Sequence, residues 1–199
     1  MNQRIAGLVE QIHRLETELE VEFARRRMEL AFTVKGRVVQ FEEHVLRRHR
    51  ELKSGLARYI LTSRPLLILS VPVIYSLIVP FVLLDVFISV YQFVCFPLFG
   101  IPAVRRSDYL VIDRVHLSYL NIIEKINCAY CAYANGVIAY AREISSLTEQ
   151  YWCPIKHARR VIGAHERYPN FADYGDAEAY HKELTALRLQ VRQKRDNSA

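Results

Sequence analysis

Charge is almost missing from the middle of this chain. Between Arg64 and Arg105 only Asp85 is ionised at neutral pH, and Tyr75, Tyr91 and Cys95 are the other titratable side chains there. The overall figures, 24% charged and 51% hydrophobic residues, therefore average one very apolar block with two charged flanks. The N-terminus, beginning Met1-Asn-Gln-Arg, has no apolar run and no small-residue cleavage site. A secretory signal peptide is not expected, which leaves the apolar block itself to direct membrane insertion. Catalytic signatures are missing too: there is no P-loop, dinucleotide-binding glycine pattern, Gly-x-Ser-x-Gly elbow or His-Glu-x-x-His pair. The sequence assigns no reaction. Nor do Cys95, Cys128, Cys131 and Cys153 have the spacing of a small disulfide scaffold. Reduced thiols in a cytoplasmic compartment are expected, with Cys95 a packed side chain of the apolar block.

Residues 66–84 and 86–104 each form a run of about 19 residues, near the length that crosses a hydrocarbon core of about 30 Å. One straight helix over both would reach about 60 Å, twice what a bilayer needs. A single span over residues 73–96 leaves Asp85 near the bilayer centre, at a cost of about 2.5–3.5 kcal/mol. A helical hairpin instead puts Asp85 at the far turn, in the headgroup region. It also returns both basic flanks (Arg58 and Arg64; Arg105 and Arg106) to one side. The hairpin is the expected arrangement, with the bend at Asp85 or supplied by Pro80.

Outside the block, positive charge is plentiful. The net charge is +6; residues 1–64 carry 13 Lys/Arg against 9 Asp/Glu, and residues 105–199 carry 14 against 11. The positive-inside rule then keeps both soluble arms on the cytoplasmic side of the cell membrane or another inner membrane. Arg47, Arg48, His49, Arg50, Lys53 and Arg58 form a collar for anionic lipid, worth about 1 kcal/mol per cation close to the surface. Nucleic acid is not expected as a partner, because the cations are interleaved with acids and no recognition motif accompanies them.

Ile5, Leu8, Ile12, Leu15 and Leu19 alternate steps of three and four, the seam of a coiled coil. The stripe then slips through Phe23, Leu30, Val34, Val38, Phe41, Val45, Leu52 and Leu56, with Gly7, Gly36 and Gly55 as possible bends. A second register runs from Tyr109 through Ile112, His116, Tyr119, Ile123, Ile126, Tyr130, Tyr133, Val137, Tyr140, Ile144 and Leu147 to Tyr151. It predicts one helix of about 60 Å, or a helix pair turning at Asn135-Gly136. Its tyrosine hydroxyls need hydrogen-bond partners, unlike the side chains of a leucine seam.

Within that register lies Cys128-Ala-Tyr-Cys131, followed by Cys153-Pro-Ile-Lys-His157. Cys128, Cys131, Cys153 and His157 together make a Cys3His set, the donor chemistry of tetrahedral zinc, with iron second. The long helix competes with that cage, since it would hold Cys131 and Cys153 about 33 Å apart. A redox-active Cys128/Cys131 pair on one helical face, and inert packed cysteines, are the other readings. Glu10-Gln-Ile-His13 has the spacing of a carboxylate-bridged di-iron half-site, but no second copy appears, so a solvated face is expected. Glu124, Glu143 and Glu149 could join His116 or His157, though spacing does not single them out.

Lys156, Arg159, Arg160 and Arg167 form a second basic cluster. The stretch from Tyr168 to Asp176 is a loop by its Pro, Asn and Gly content, and Asp176 is placed to cap a last helix. In that helix Ala177, Tyr180, Leu184, Leu187 and Val191 recur at helical spacing, before a frayed polar tail from Gln193. The expected architecture is therefore all-α: an amphipathic arm (1–62), a membrane segment (63–106) and an aromatic-rich helical domain with the Cys/His cluster (107–199). The leading functional expectation is a membrane-anchored scaffold or accessory protein with a thiolate zinc site. It would contact lipid and assemble with itself or with a membrane complex. The alternative is a metal- or thiol-dependent membrane redox enzyme or electron-transfer protein.

Overall fold

The computed structural model describes residues 3–29, 32–35, 38–53, 55 and 65–193. Six longer helices dominate them: α1 (Gln3–Glu29), α2 (Glu43–Glu51), α3 (Pro65–Ser76), α4 (Ile78–Phe99), α5 (Ile122–Trp152) and α6 (Ala177–Gln193). The predominance of helix agrees with the sequence reading. The departure is a short antiparallel ladder of β1 (Phe32–Lys35) and β2 (Val38–Phe41), which pairs Phe32 with Phe41 and Lys35 with Val38. It interrupts the stripe predicted to continue from Phe23 to Val45. The segments Phe32-Thr-Val-Lys and Val38-Val-Gln-Phe are rich in β-branched and aromatic residues, which suit a pleated strand better than a helix. Leu30, Gly36, Leu56, Arg58, Arg64 and the tail from residue 194 lie outside the described residues.

The apolar block does not fold back at Asp85. Helix α4 runs straight through that residue, and residues Ile68–Phe99 form one helix long and apolar enough to cross a membrane. The only break is at Leu77, where the backbone N–H bonds to Ile74 O (3.3 Å) in a tighter turn. Pro80 explains its position: proline lacks an N–H and its ring crowds the carbonyl four residues earlier, here that of Ser76. The bend expected of Pro80 is therefore a one-residue interruption, and the predicted hairpin is replaced by a single long helix.

Three caps set the other boundaries. Helix α4 ends with Gly100 at φ 70°, Ile101 N–H donating to Phe96 O (2.9 Å) and Gly100 N–H to Pro97 O (3.2 Å). This is a Schellman motif, and its two apolar ends, Phe96 and Ile101, are both buried. Helix α5 starts later than the aromatic register predicts. Asn121 Oδ1 accepts from Glu124 N–H (3.0 Å) while Glu124 Oε2 accepts from Asn121 N–H (2.8 Å), a reciprocal capping box. Residues 110–121 are irregular apart from one 3₁₀ turn, Arg114–His116, so the spacing of Tyr109, Ile112, His116 and Tyr119 is not helical in origin. No turn occurs at Asn135-Gly136; Asn135 Nδ2 bonds back to Cys131 O (2.8 Å) inside the helix. Helix α6 is capped as expected, Ala179 N–H donating to Asp176 Oδ1 (2.9 Å).

The chain divides into two compact units, each drawing on all three stretches of the sequence. The first comprises Met1–Ile12, Val82–Tyr109 and Val137–Ala199. Its core is built on Phe96, Val137, Tyr140, Ile144, Leu147 and Val191. The second comprises His13–Phe81 and Leu110–Gly136. It is held by ring contacts, Tyr75 and Phe81 on Tyr130, and His49 between Phe41 and Tyr119. The capping box is expected to matter for stability. Asn121→Ala should cost about 1 kcal/mol of unfolding free energy, and Asn121→Ser much less, in denaturant titrations followed by circular dichroism.

Candidate functional site

The surface of the apolar helix is inverted relative to a soluble one. Among the described residues, seventeen large hydrophobic side chains between Leu66 and Leu98 are exposed, Phe87 by 70% and Phe93 by 82%. Asp85, Gln92, Tyr75 and Tyr91, its larger polar side chains, have protein partners instead. In the second unit, Tyr75 Oη donates to Asn127 Oδ1, and Tyr130 Oη donates to the Ile74 carbonyl (2.7 Å). In the first unit, Tyr91 and Thr148 share a hydrogen bond (3.0 Å), and Gln92 Nε2 donates to Tyr140 Oη (3.0 Å). Tyrosines on both α4 and α5 thus find the hydroxyl partners that burial demands.

Asp85 has the partner that decides its environment. Arg106 forms a forked pair with it, Nε to Oδ1 at 3.0 Å and Nη2 to Oδ2 at 2.6 Å. Asp85 is 8% exposed. The chain reaches this position by turning at Gly100 and running back beside α4. Gln92 holds that return segment like a rung of a ladder, donating to Val104 O (3.2 Å) and accepting from Val104 N–H (2.8 Å). Sequence reasoning took Arg106 only as part of a basic flank of the apolar block and missed this pairing. The signal was Gly100-Ile-Pro102 directly after the helix, a reversal that brings the next charges back along it. Between α4 and the return segment opens a groove of ≈ 940 Å³ lined by Val90, Phe93, Phe96, Ile101 and Arg105, among others.

The Cys3His set is not brought together. Cys128 and Cys131 stand on α5, Cys128 half-buried and Cys131 exposed; all four cysteines are free thiols. Because α5 is unbroken to Trp152, Cys131 and Cys153 are separated by about 33 Å of helix, as the competing reading required. Cys153 is exposed just past the helix end. His157 stacks its ring on Tyr168 and donates its backbone N–H to the Tyr168 hydroxyl (2.7 Å). Among the described residues no three His, Cys, Asp or Glu side chains are grouped closely enough to hold a metal ion. Of the Cys3His set expected from spacing, Cys128 and Cys131 belong to the second unit and Cys153 and His157 to the first.

The glutamates considered as ligands have other partners. Glu124 caps α5. Glu143 is paired with Arg167, whose Nη1 lies 2.9 Å from Glu143 Oε2 and 2.7 Å from Ser146 Oγ. Glu149 Oε2 meets His165 Nε2 at 2.9 Å. These contacts lie on one face of α5 and latch the loop that follows it; Arg142 adds bonds to the Gly163 and Ala164 carbonyls (2.8 Å each). Burial, and secondarily the charge of Glu143, pushes the Tyr109 hydroxyl above its ordinary range. Lys156 donates to Asp173 Oδ1 (2.8 Å) and, by that bond and its charge, holds the Asp173 carboxyl below its ordinary range. Two members of the predicted basic cluster, Lys156 and Arg167, are therefore spent on internal pairs, whereas Arg159 and Arg160 face solvent. Glu10 and His13 are exposed, His13 meeting Glu16 rather than a metal partner.

Two outcomes are expected. In detergent, Cys131 and Cys153 should react with a maleimide at least about tenfold faster than Cys95 and Cys128, all four becoming equal on denaturation. Equal native rates would contradict the burial described above. Arg167→Met should destabilise the protein by about 3 kcal/mol in thermal or chemical unfolding, since it leaves the largely buried Glu143 without its cation.

Compared with known proteins, the chain matches no family model, no curated protein and no solved structure, so its site is read from its own residues.

Proposed function

We propose that this chain is a membrane-anchored helical scaffold or accessory protein that assembles with a second copy of itself or with a membrane complex. The observation that carries this reading is the inverted surface of α3 and α4: apolar side chains outward, Asp85, Gln92, Tyr75 and Tyr91 turned inward to protein partners. Exposed apolar area of this extent marks a membrane or partner surface rather than a solvated one. Helix α1 supports assembly. Its seam residues Leu8, Ile12, Leu15 and Leu19 are all more than half exposed. Pairing this stripe with another helix would bury it in the alternating three-four pattern that a coiled coil uses. Basic residues Arg47, Arg48 and Arg50 on α2 face solvent and suit an anionic, cytoplasmic-side lipid surface.

Expressed in cells, the protein should stay in the membrane fraction after alkaline carbonate washing. Phe87→Asp combined with Val90→Asp should move it toward the soluble fraction by about tenfold or more, since each charge on a lipid-facing position is costly. Wild-type protein that is soluble and monodisperse without detergent would sink the anchoring idea. Assembly has its own test. Leu15→Cys should form an interchain disulfide under mild oxidation that Leu15→Cys with Leu19→Glu does not. A chain that stays monomeric and recovers no partner on crosslinking would remove the scaffold role.

A further inference from the structure

We infer that the groove between α4 and the return segment binds one phospholipid whose headgroup carries both a phosphate and a primary ammonium. Its acyl chain lies along the groove and its headgroup across Arg105 and Asp108. The inference rests on the membrane-anchoring reading above and names a lipid that the anchor would hold. Every residue it uses belongs to the first unit.

The walls of the groove suit hydrocarbon. Ile101 is bonded to Phe96, Val104 to Gln92 and Arg106 to Asp85, so the return segment runs antiparallel to α4. The space between them, ≈ 940 Å³, is near the upper end of the about 300–1,000 Å³ of small-molecule sites. It follows α4 from Ser89 to Pro97, about 12 Å of helix. Val90, Phe93, Phe96 and Ile101 give it an apolar lining. Gln92 and Tyr140 also line it, and they are bonded to each other. Gln92 further holds both backbone groups of Val104, Ile101 N–H is bonded, and Pro102 has no N–H to satisfy. Polar groups partnered in this way can be covered by an acyl chain at little cost.

Charge selects the headgroup. The antiparallel run delivers Arg105 to the Ser89 end of the groove, where Asp108 Oδ2 meets its Nε at 3.3 Å. Beside them Arg106 and Asp85 are paired, so Arg105 and Asp108 present one charge of each sign. Both are well exposed, Arg105 by 78% and Asp108 by 55%, so their pairing contributes little to stability and can admit a third group. The Nε contact leaves the two Nη groups of Arg105 for a phosphate, an anion that a guanidinium fork matches. Asp108 then accepts from the ammonium. A purely anionic headgroup would gain from Arg105 but be repelled by Asp108. A quaternary choline has no N–H to give the carboxylate.

Headgroup preference inside and outside the groove tests this. Trp152 is the only tryptophan, so Trp152→Phe provides a silent background. In it, Val90→Trp reports from the groove, and Leu98→Trp, exposed but not lining it, from ordinary lipid contact. The full chain is reconstituted in phosphatidylcholine liposomes with rising small fractions of one brominated lipid: phosphatidylethanolamine, phosphatidylglycerol or phosphatidylcholine. Circular dichroism checks that each variant has folded. At Val90→Trp, half-maximal quenching is expected at a fraction of brominated phosphatidylethanolamine at least about threefold lower than of the other two, a preference of the size that exposed charge pairs supply. Leu98→Trp should show no preference, and Arg105→Gln or Asp108→Asn should abolish the one at Val90→Trp. Equal quenching by the three lipids at Val90→Trp, a preference for phosphatidylglycerol, or a preference that survives both substitutions would overturn the site and leave the anchoring intact. Quenching at Leu98→Trp alone would do the same, since the groove would then be covered by protein such as a second copy. Quenching at neither position would overturn the site together with the membrane anchoring on which it rests.

Discussion

An apolar helix exposed to hydrocarbon has no water to satisfy the few polar groups it carries, so the protein must supply their partners. Asp85 is where this constraint is sharpest. Its carboxylate can persist among Leu84, Val86 and Phe87 only because a guanidinium reaches it with two hydrogen bonds. That requirement shapes the surroundings. Gly100 takes a left-handed conformation to reverse the chain, Phe96 and Ile101 close the reversal, and Gln92 anchors the backbone of Val104 two residues before the arginine. The same side of the helix then offers Tyr91 and Gln92 to the hydroxyls of Thr148 and Tyr140, so that α5 packs where the polar groups are. The exposed side is left largely apolar. That asymmetry is the observation behind the proposed membrane anchoring.

The cysteines illustrate how a local pattern and an extended one compete. Cys128-Ala-Tyr-Cys131 followed by Cys153 and His157 has the right donors for zinc, but spacing in sequence is not distance in space. A capping box at Asn121 starts α5, its seam residues Val137, Tyr140, Ile144 and Leu147 are buried, and the helix runs 31 residues without a break. Each of those features favours continuation, and a cage would need more than one interruption. The free energy of a structural zinc site could outweigh such losses in a small domain with little core.

Much of the architecture was legible. The apolar block, the basic arms, the amphipathic stripe of α1 and the Asp176 cap of α6 follow from composition, periodicity and cap chemistry, all of which act over a few residues. The β-ladder at residues 32–41 was readable in principle from its β-branched content, but the seam pattern on either side of it masked that signal. Tyr109, Ile112, His116 and Tyr119 keep a helical rhythm without one continuous helix, since α5 starts only at the Asn121 cap. Glu124, Glu143 and Glu149, which spacing did not single out, are a helix cap and the partners of Arg167 and His165.

The sequence by itself determined that an apolar segment had to be removed from water, that its flanks had to stay in water, and that Asp85 was a problem in need of a solution. It could not say which solution, because Arg106 lies 21 residues on and nothing in local spacing records where a loop returns. A turn that moved Asp85 into the headgroups and a partner that neutralised it in place were both physically adequate. Tertiary structure chose the partner. Hydrogen-bond satisfaction and ion pairing are settled between elements distant in the chain, whereas hydrophobic patterning is written within each of them.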